Sequence, residues 1–146
     1  MEKERLESLL RRDPKIRAVF RGVCGIEELR GLRPAESPSI YVLLYREHYT
    51  VFYFGLDNWF FDSLALPLDY YPFGDFLSDY CVRHVFDSPI QSDESDACAL
   101  FCLKLCFLLA RKFPVSYIGS SAFKRNPAEN EYIVRGFLEN FIDRFS

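Results

Sequence analysis

The chain has 146 residues, is 49% hydrophobic and 17% aromatic, with 15 Phe and 9 Tyr, and carries a formal net charge of −3. This composition excludes a disordered polymer and suits a single domain, 1–146, long enough to bury a real core. The acidic balance argues against a protein that lives on nucleic acid, because phosphate binding asks for a basic face. No apolar stretch reaches the length of a membrane span, and the longest, Ala97 to Ala110, is interrupted by Lys104. The opening "MEKERLESLLRRDPK" is charged throughout, unlike a signal peptide. A reducing compartment is therefore expected, with the five Cys as thiols.

In chain order, Glu2 to Arg12 reads as a helix with Leu6, Leu9 and Leu10 on one face, ended by Asp13-Pro14. "IRAVFRGV", Ile16 to Val23, is expected as a short strand, and Glu27 to Leu32 as a helical turn. "SIYVLLY" (39–45) and "YTVFYFG" (49–55) are apolar strand runs; after the turn "GLDN" comes a third, "WFFD" (59–62). Prolines 67 and 72 keep the next stretch irregular, with a helical turn within 73–80, and "VRHVFDS" (82–88) alternates like a partly exposed strand. Ala97 to Lys112 is apolar on nearly every side, as a helix in the middle of a domain would be, with Lys104 and Arg111 marking its one wet stripe. Asn126-Pro127 starts a last helix that turns Ile133, Phe137 and Phe141 to the core. The expected fold is α+β, an antiparallel sheet packed on one buried helix.

The chemistry centres on Cys98. Ser95 or Asp96 is the expected N-cap of the apolar helix, placing Cys98 in its first turn, where free N–H groups and the helix dipole favour a thiolate. A thiolate nucleophile also needs a histidine, and an acid or amide to orient it. His48 precedes one strand and Asp62 ends its neighbour, so both fall at one edge of a hairpin. A strict two-residue loop would pair Asp62 with Val51 and turn His48 to the other face; a longer loop or a bulge restores the shared face. Gln91, seven positions before Cys98, can return through the loop 92–97 as an amide for a developing oxyanion. The loop acids Asp93, Glu94 and Asp96 would raise the thiol unless they face solvent. Cys98, Cys102 and Cys106 step by four along the helix, a spacing that suits core packing better than zinc. His84 reads as structural, and Asp57 as a turn residue that rivals Asp62.

The order His48, Asp62, Gln91, Cys98, with "HY" opening a strand, "FFDS" ending its partner, and "ACALFCLKLCFLLARKFP" following the loop, resembles the adenovirus protease (adenain) family of cysteine endopeptidases, from about Tyr41 to Pro114. The resemblance implies a papain-like fold with a mixed or antiparallel sheet and a buried helix starting at the nucleophile. It implies Cys98 as nucleophile, His48 as base, Asp62 as its orienter and Gln91 as oxyanion donor. It also implies protein substrates, namely viral or capsid precursors cleaved during virion maturation, and a location in the virion or the infected cell. Cys81 resembles, one residue out of register, the family cysteine that forms a disulfide with an activating viral peptide. No cofactor is required for the chemistry. DNA activates the adenovirus enzyme, and the acidic charge here argues against that. Where the family usually has Gly after the nucleophile and Trp after the His, this chain has Ala99 and Tyr49. Two alternatives stay open: a protease for ubiquitin-like modifiers, and an inactive capsid or scaffold protein that kept the fold.

Overall fold

Two helices open the chain in the computed structural model, which describes residues 1–34 and 36–146. α1 is Lys3–Arg12 and α2 is Pro14–Val19. The dipeptide that ends α1 also starts α2. Asp13 accepts from the Lys15 N–H at 3.0 Å, and Pro14 takes the first helical position, where a missing N–H costs nothing. The strand expected over Ile16 to Val23 is thus corrected: its first half is helical, and β1 is Phe20–Cys24. A short α3, Ile26–Arg30, follows.

β2 (Ser39–Tyr45), β3 (His48–Phe54), β4 (Trp59–Phe61) and β5 (Arg83–His84) complete a five-stranded sheet in the order β1-β2-β3-β4-β5. The β2/β3 and β3/β4 pairs are antiparallel, but β1/β2 and β4/β5 are parallel, so the sheet is mixed rather than antiparallel throughout. The strand expected over 82–88 shrinks to two residues. Alternation sends Ile40, Val42, Val51 and Phe61 to one face and Tyr41, Leu43, Phe52 and Phe60 to the other, and both are buried. Apolar side chains on both faces explain why these strands read as continuous hydrophobic runs.

The first face carries α5, Cys98–Ala110, with α1, α2 and α7 (Pro127–Arg144) packed around it. Leu100, Phe101, Leu103, Leu105, Leu108 and Leu109 of α5 are all buried. At its far end Arg111 reaches the fully buried Asp13 at 2.6 Å, tying the helix to the α1/α2 junction. Between α5 and α7 lies α6, Val115–Ser120, which carries no strong periodic signal in the sequence. Asn126 caps α7 by accepting from the Ala128 N–H at 3.0 Å, and Phe141 is buried; Val134, not Ile133, is the deeper neighbour. The second face is covered by α3, a 3₁₀ turn at Leu68–Tyr70 and α4, Gly74–Asp79. Gly74 permits that turn to approach, because a Cβ there would sit 2.5 Å from the Leu68 carbonyl oxygen. The architecture is α+β. Among the described residues no helix is long and apolar enough to cross a membrane.

Candidate active site

His48 is placed by a tight hairpin. Tyr45 pairs with His48 across β2 and β3, and the two loop residues Arg46 and Glu47 both take positive φ, 49° and 64°. That is the geometry whose twist matches the flanking strands, here held by residues that do not favour it. On the other side, Val51 pairs with Phe61 and Tyr53 with Trp59, leaving 54–58 as the loop. Continuing that register puts Asp62 opposite Thr50, not Val51. Asp62 and His48 therefore share a face of the sheet. The longer loop resolves the parity, and His48 Nε2 lies 2.7 Å from Asp62 Oδ1.

Asp62 is fully buried and saturated with donors. Besides His48, its carboxylate accepts from the Leu64 N–H at 2.9 Å, the Leu66 N–H at 3.1 Å and the Tyr71 hydroxyl. The Tyr71 ring also stacks against His48, centroids 6.4 Å apart and 16° from parallel. Burial pushes the Asp62 carboxyl up, but the bonds from His48 and Tyr71 outweigh it and hold the group below its ordinary range. Burial alone would draw the His48 ring down; the hydrogen bond to Asp62 and the interaction with Cys98 reverse this and lift it to about 9. With Nε2 engaged by Asp62, Nδ1 is the nitrogen left to face the thiol.

Cys98 is the first residue of α5 and is 7% exposed. Ala97 is the N-cap, correcting the expectation of Ser95 or Asp96; Ser95 Oγ instead accepts from the Ala97 N–H at 3.1 Å. Burial pushes the thiol up, and the hydrogen bond with His48, the Tyr49 and Ala99 N–H groups and the His48 charge together bring it below its ordinary value. His48 and Cys98 are thus close enough to shift each other, yet the hydrogen bond of regular geometry at the sulfur runs from Sγ–H to the Glu47 carbonyl, 3.6 Å. Catalytic hydrogen bonds are commonly loose before substrate binds. Shifts of opposite sign on Cys98 and His48 move the two groups toward a thiolate–imidazolium pair.

The acids of the loop face solvent, although Asp93 and Asp96 also line the cleft that holds His48 and Cys98. Asp93, Glu94 and Asp96 are exposed, and Asp96 pairs with Arg135 at 3.1 Å. Ala99 does not narrow the site, since it is 1% exposed within the apolar core beneath the helix. Tyr49 is buried and donates its hydroxyl to the Met1 carbonyl at 2.9 Å. A cleft of about 530 Å³ opens over His48 and Cys98, walled by Leu44, Tyr49, Leu64 and Ser95.

Gln91 is 2% exposed and lies under the wall of this cleft rather than in it. Its Nε2 donates to the Ser95 carbonyl at 3.0 Å, so the 92–97 loop folds back over it. Its Oε1 accepts from the Ser63 hydroxyl. Of the sequence-derived residues, His48, Asp62 and Cys98 thus form one interacting group, with Gln91 joined to it through Ser63 and Ser95. Cys81 stands apart, exposed after α4 with φ at 52°. Asp57 is exposed in the β3–β4 loop, and His84 packs edge-on against Phe60 at 5.3 Å. Among the described residues no group of three or more His, Cys, Asp or Glu is arranged to hold a metal.

Sequence reasoning missed Tyr71 and Ser63. Tyr71 sits in "DYYPFG", a stretch whose prolines announce only irregularity. Ser63 follows Asp62 directly in "FFDS", and its position beside the proposed orienter was the one available signal. No protein-family model matches the chain, and no curated protein matches it.

Proposed function

We propose that the protein is a cysteine endopeptidase with a papain-like arrangement, acting like the adenovirus maturation protease on precursor or capsid proteins. The observation that carries this reading is the chain Asp62–His48–Cys98, in which a buried acid holds the base and the base lowers the thiol at the start of a buried helix. That is the nucleophile–base–orienter logic of acyl transfer.

In the mechanism, Cys98 thiolate attacks the scissile carbonyl carbon, forming a C–S bond while the carbonyl π electrons move to oxygen. The Cys98 N–H, at the first helical position with no intrahelical acceptor, serves as donor to that oxyanion, with the second Nε2–H of Gln91 assigned to it from beneath the Ser95 wall of the cleft. As the tetrahedral intermediate collapses, the C–N bond breaks and the amine leaves with the proton of the His48 imidazolium. His48, now neutral, takes a proton from water as its oxygen attacks the thioester. Collapse then releases the acid and returns the thiolate and imidazolium. Asp62 keeps the ring in one orientation through both steps. Cys81 would be the anchor of an activating viral peptide, as the resemblance implies.

The test is cleavage of a denatured protein mixture, read as new peptide N-termini. Wild type should generate a reproducible set of termini that Cys98→Ala does not; identical sets from both would refute the reading. Labelling of Cys98 by a ubiquitin-like probe with an electrophilic C-terminus, without new termini, would assign the chain to modifier processing instead.

A further inference from the structure

Asp62 and Ser63, side by side after β4, each hold a different part of the site. Asp62 holds His48. Ser63 holds the Ile90–Gln91 segment at three points, two of them on Gln91: its carbonyl accepts from the Ile90 N–H at 2.9 Å and the Gln91 N–H at 3.1 Å, and its hydroxyl bonds the Gln91 side chain. Both Ser63 and Gln91 are buried, at 3% and 2% exposure.

An amide has an accepting end and a donating end, and the contacts settle which is which. The Ser95 carbonyl can only accept, so the end of Gln91 that it meets at 3.0 Å is the NH₂ group. The carbonyl end then faces Ser63, whose hydroxyl must be the donor. One Nε2–H is taken by Ser95 and one remains. Without the Ser63 hydroxyl, Gln91 Oε1 would be buried with no partner, a state costly enough to turn the amide. Turning it would break the bond from Nε2 to the Ser95 carbonyl and move the remaining N–H with it.

We propose that Ser63 is a positioning residue for acyl transfer, its hydroxyl fixing the Gln91 amide with NH₂ toward the Cys98 end of the loop. This rests on the reading of Cys98 as an acyl-transfer nucleophile and Gln91 as its oxyanion donor. Ser63 touches neither the nucleophile nor the base, so it affects only steps that build an oxyanion. Thiolate alkylation builds none.

The experiment compares two rates in each variant. One is kcat/KM for benzyloxycarbonyl-glycine p-nitrophenyl ester, which reports acylation. The other is alkylation of Cys98 by iodoacetamide, followed by mass spectrometry. Ser63→Ala should lose roughly 10–100-fold in the first, part of what a whole oxyanion donor supplies, with the second unchanged. Adding Ser63→Ala to Gln91→Ala should cause no further loss, since the amide to be positioned is gone. Ser63→Thr, which keeps the hydroxyl, should retain most of the ester activity. If Ser63→Ala loses its fold by circular dichroism, the near-isosteric Ser63→Cys takes its place with the same split expected. Undiminished ester activity, or equal losses in both rates, would overturn the role of Ser63 alone. A wild type that turns over the ester no faster than Cys98→Ala would instead overturn the protease reading beneath it.

Discussion

Cys98 and Cys102 stand one turn apart on the same helix, both buried, and their thiols are driven in opposite directions. Cys102 is enclosed by the core, where burial pushes its thiol well above the ordinary value, and Cys106 a turn later is pushed up too. Cys98 is also pushed up by burial, but the β2–β3 hairpin supplies His48 and the Tyr49 N–H and the helix end supplies the Ala99 N–H, and these win. The difference teaches that burial alone makes an inert thiol. A reactive one requires the same burial together with a charge partner and free backbone donors.

The largest expected effects come from swapping the two cysteines' fates. Cys98→Ala should remove peptide cleavage by on the order of 10⁵–10⁶, as loss of a nucleophile does elsewhere. Cys102→Ala should leave cleavage within a few-fold of wild type and cost about 1 kcal/mol of stability as a small core truncation. Urea unfolding and cleavage assays on both variants check the contrast, and a cleavage defect in Cys102→Ala matching that of Cys98→Ala would erase it.

Asp62→Asn comes next. It removes the charge that holds His48 up at about 9, so the alkaline limb of the pH–activity profile should move down toward 6.5. Activity should fall by ~10²–10⁴. Tyr71→Phe removes one donor from the same carboxylate and should cost less, roughly 3–10-fold in kcat/KM, with about 1–2 kcal/mol of stability. An equal effect of the two substitutions would mean that the hydroxyl, rather than the charge, organises the base.

The smallest effect is on stability against pH. His48 holds its proton more tightly in the folded state, so its contribution is full below the unfolded value of 6.5 and is lost as pH rises through about 9. Asp62, held below its ordinary 3.8, contributes above that value and loses its contribution as pH falls through the lowered one. The pair therefore adds most between ~4 and ~6.5. The melting-temperature gap between wild type and His48→Ala should be widest there, by a few degrees for about 1–2 kcal/mol, and should narrow toward pH 9. A gap independent of pH would show that His48 stabilises by packing alone.

Much of this site was legible in the sequence because its residues mark element boundaries. "SIYVLLY" matches β2 at both ends, and the apolar run after Gln91 is α5. His48 and Asp62 fall at strand ends, where chain order and hairpin logic bring them together. The parity of that hairpin was not legible, because it depends on whether the loop holds two residues or spans 54–58. The turn Arg46-Glu47 carries no Asn or Gly to announce its positive φ angles, so the placement of His48 at the turn had no local signal. Asp13-Pro14 was ambiguous in the same way, since it reads equally as a stop and as a capped start. Tyr71 and Ser63 act through contacts 9 and 28 residues away in sequence, which no local pattern encodes.

The most direct measurement is iodoacetamide alkylation of Cys98 across pH 5.5–9, read by mass spectrometry with exposed Cys81 as the reference for access. A paired thiolate predicts a Cys98 rate that begins to fall at a lower pH than that of Cys81, an advantage lost in His48→Ala, whereas a simple thiol near 8.5 slows by roughly tenfold per unit below it. A Cys98 rate that falls tenfold per unit in wild type, unaltered by His48→Ala, would contradict the account.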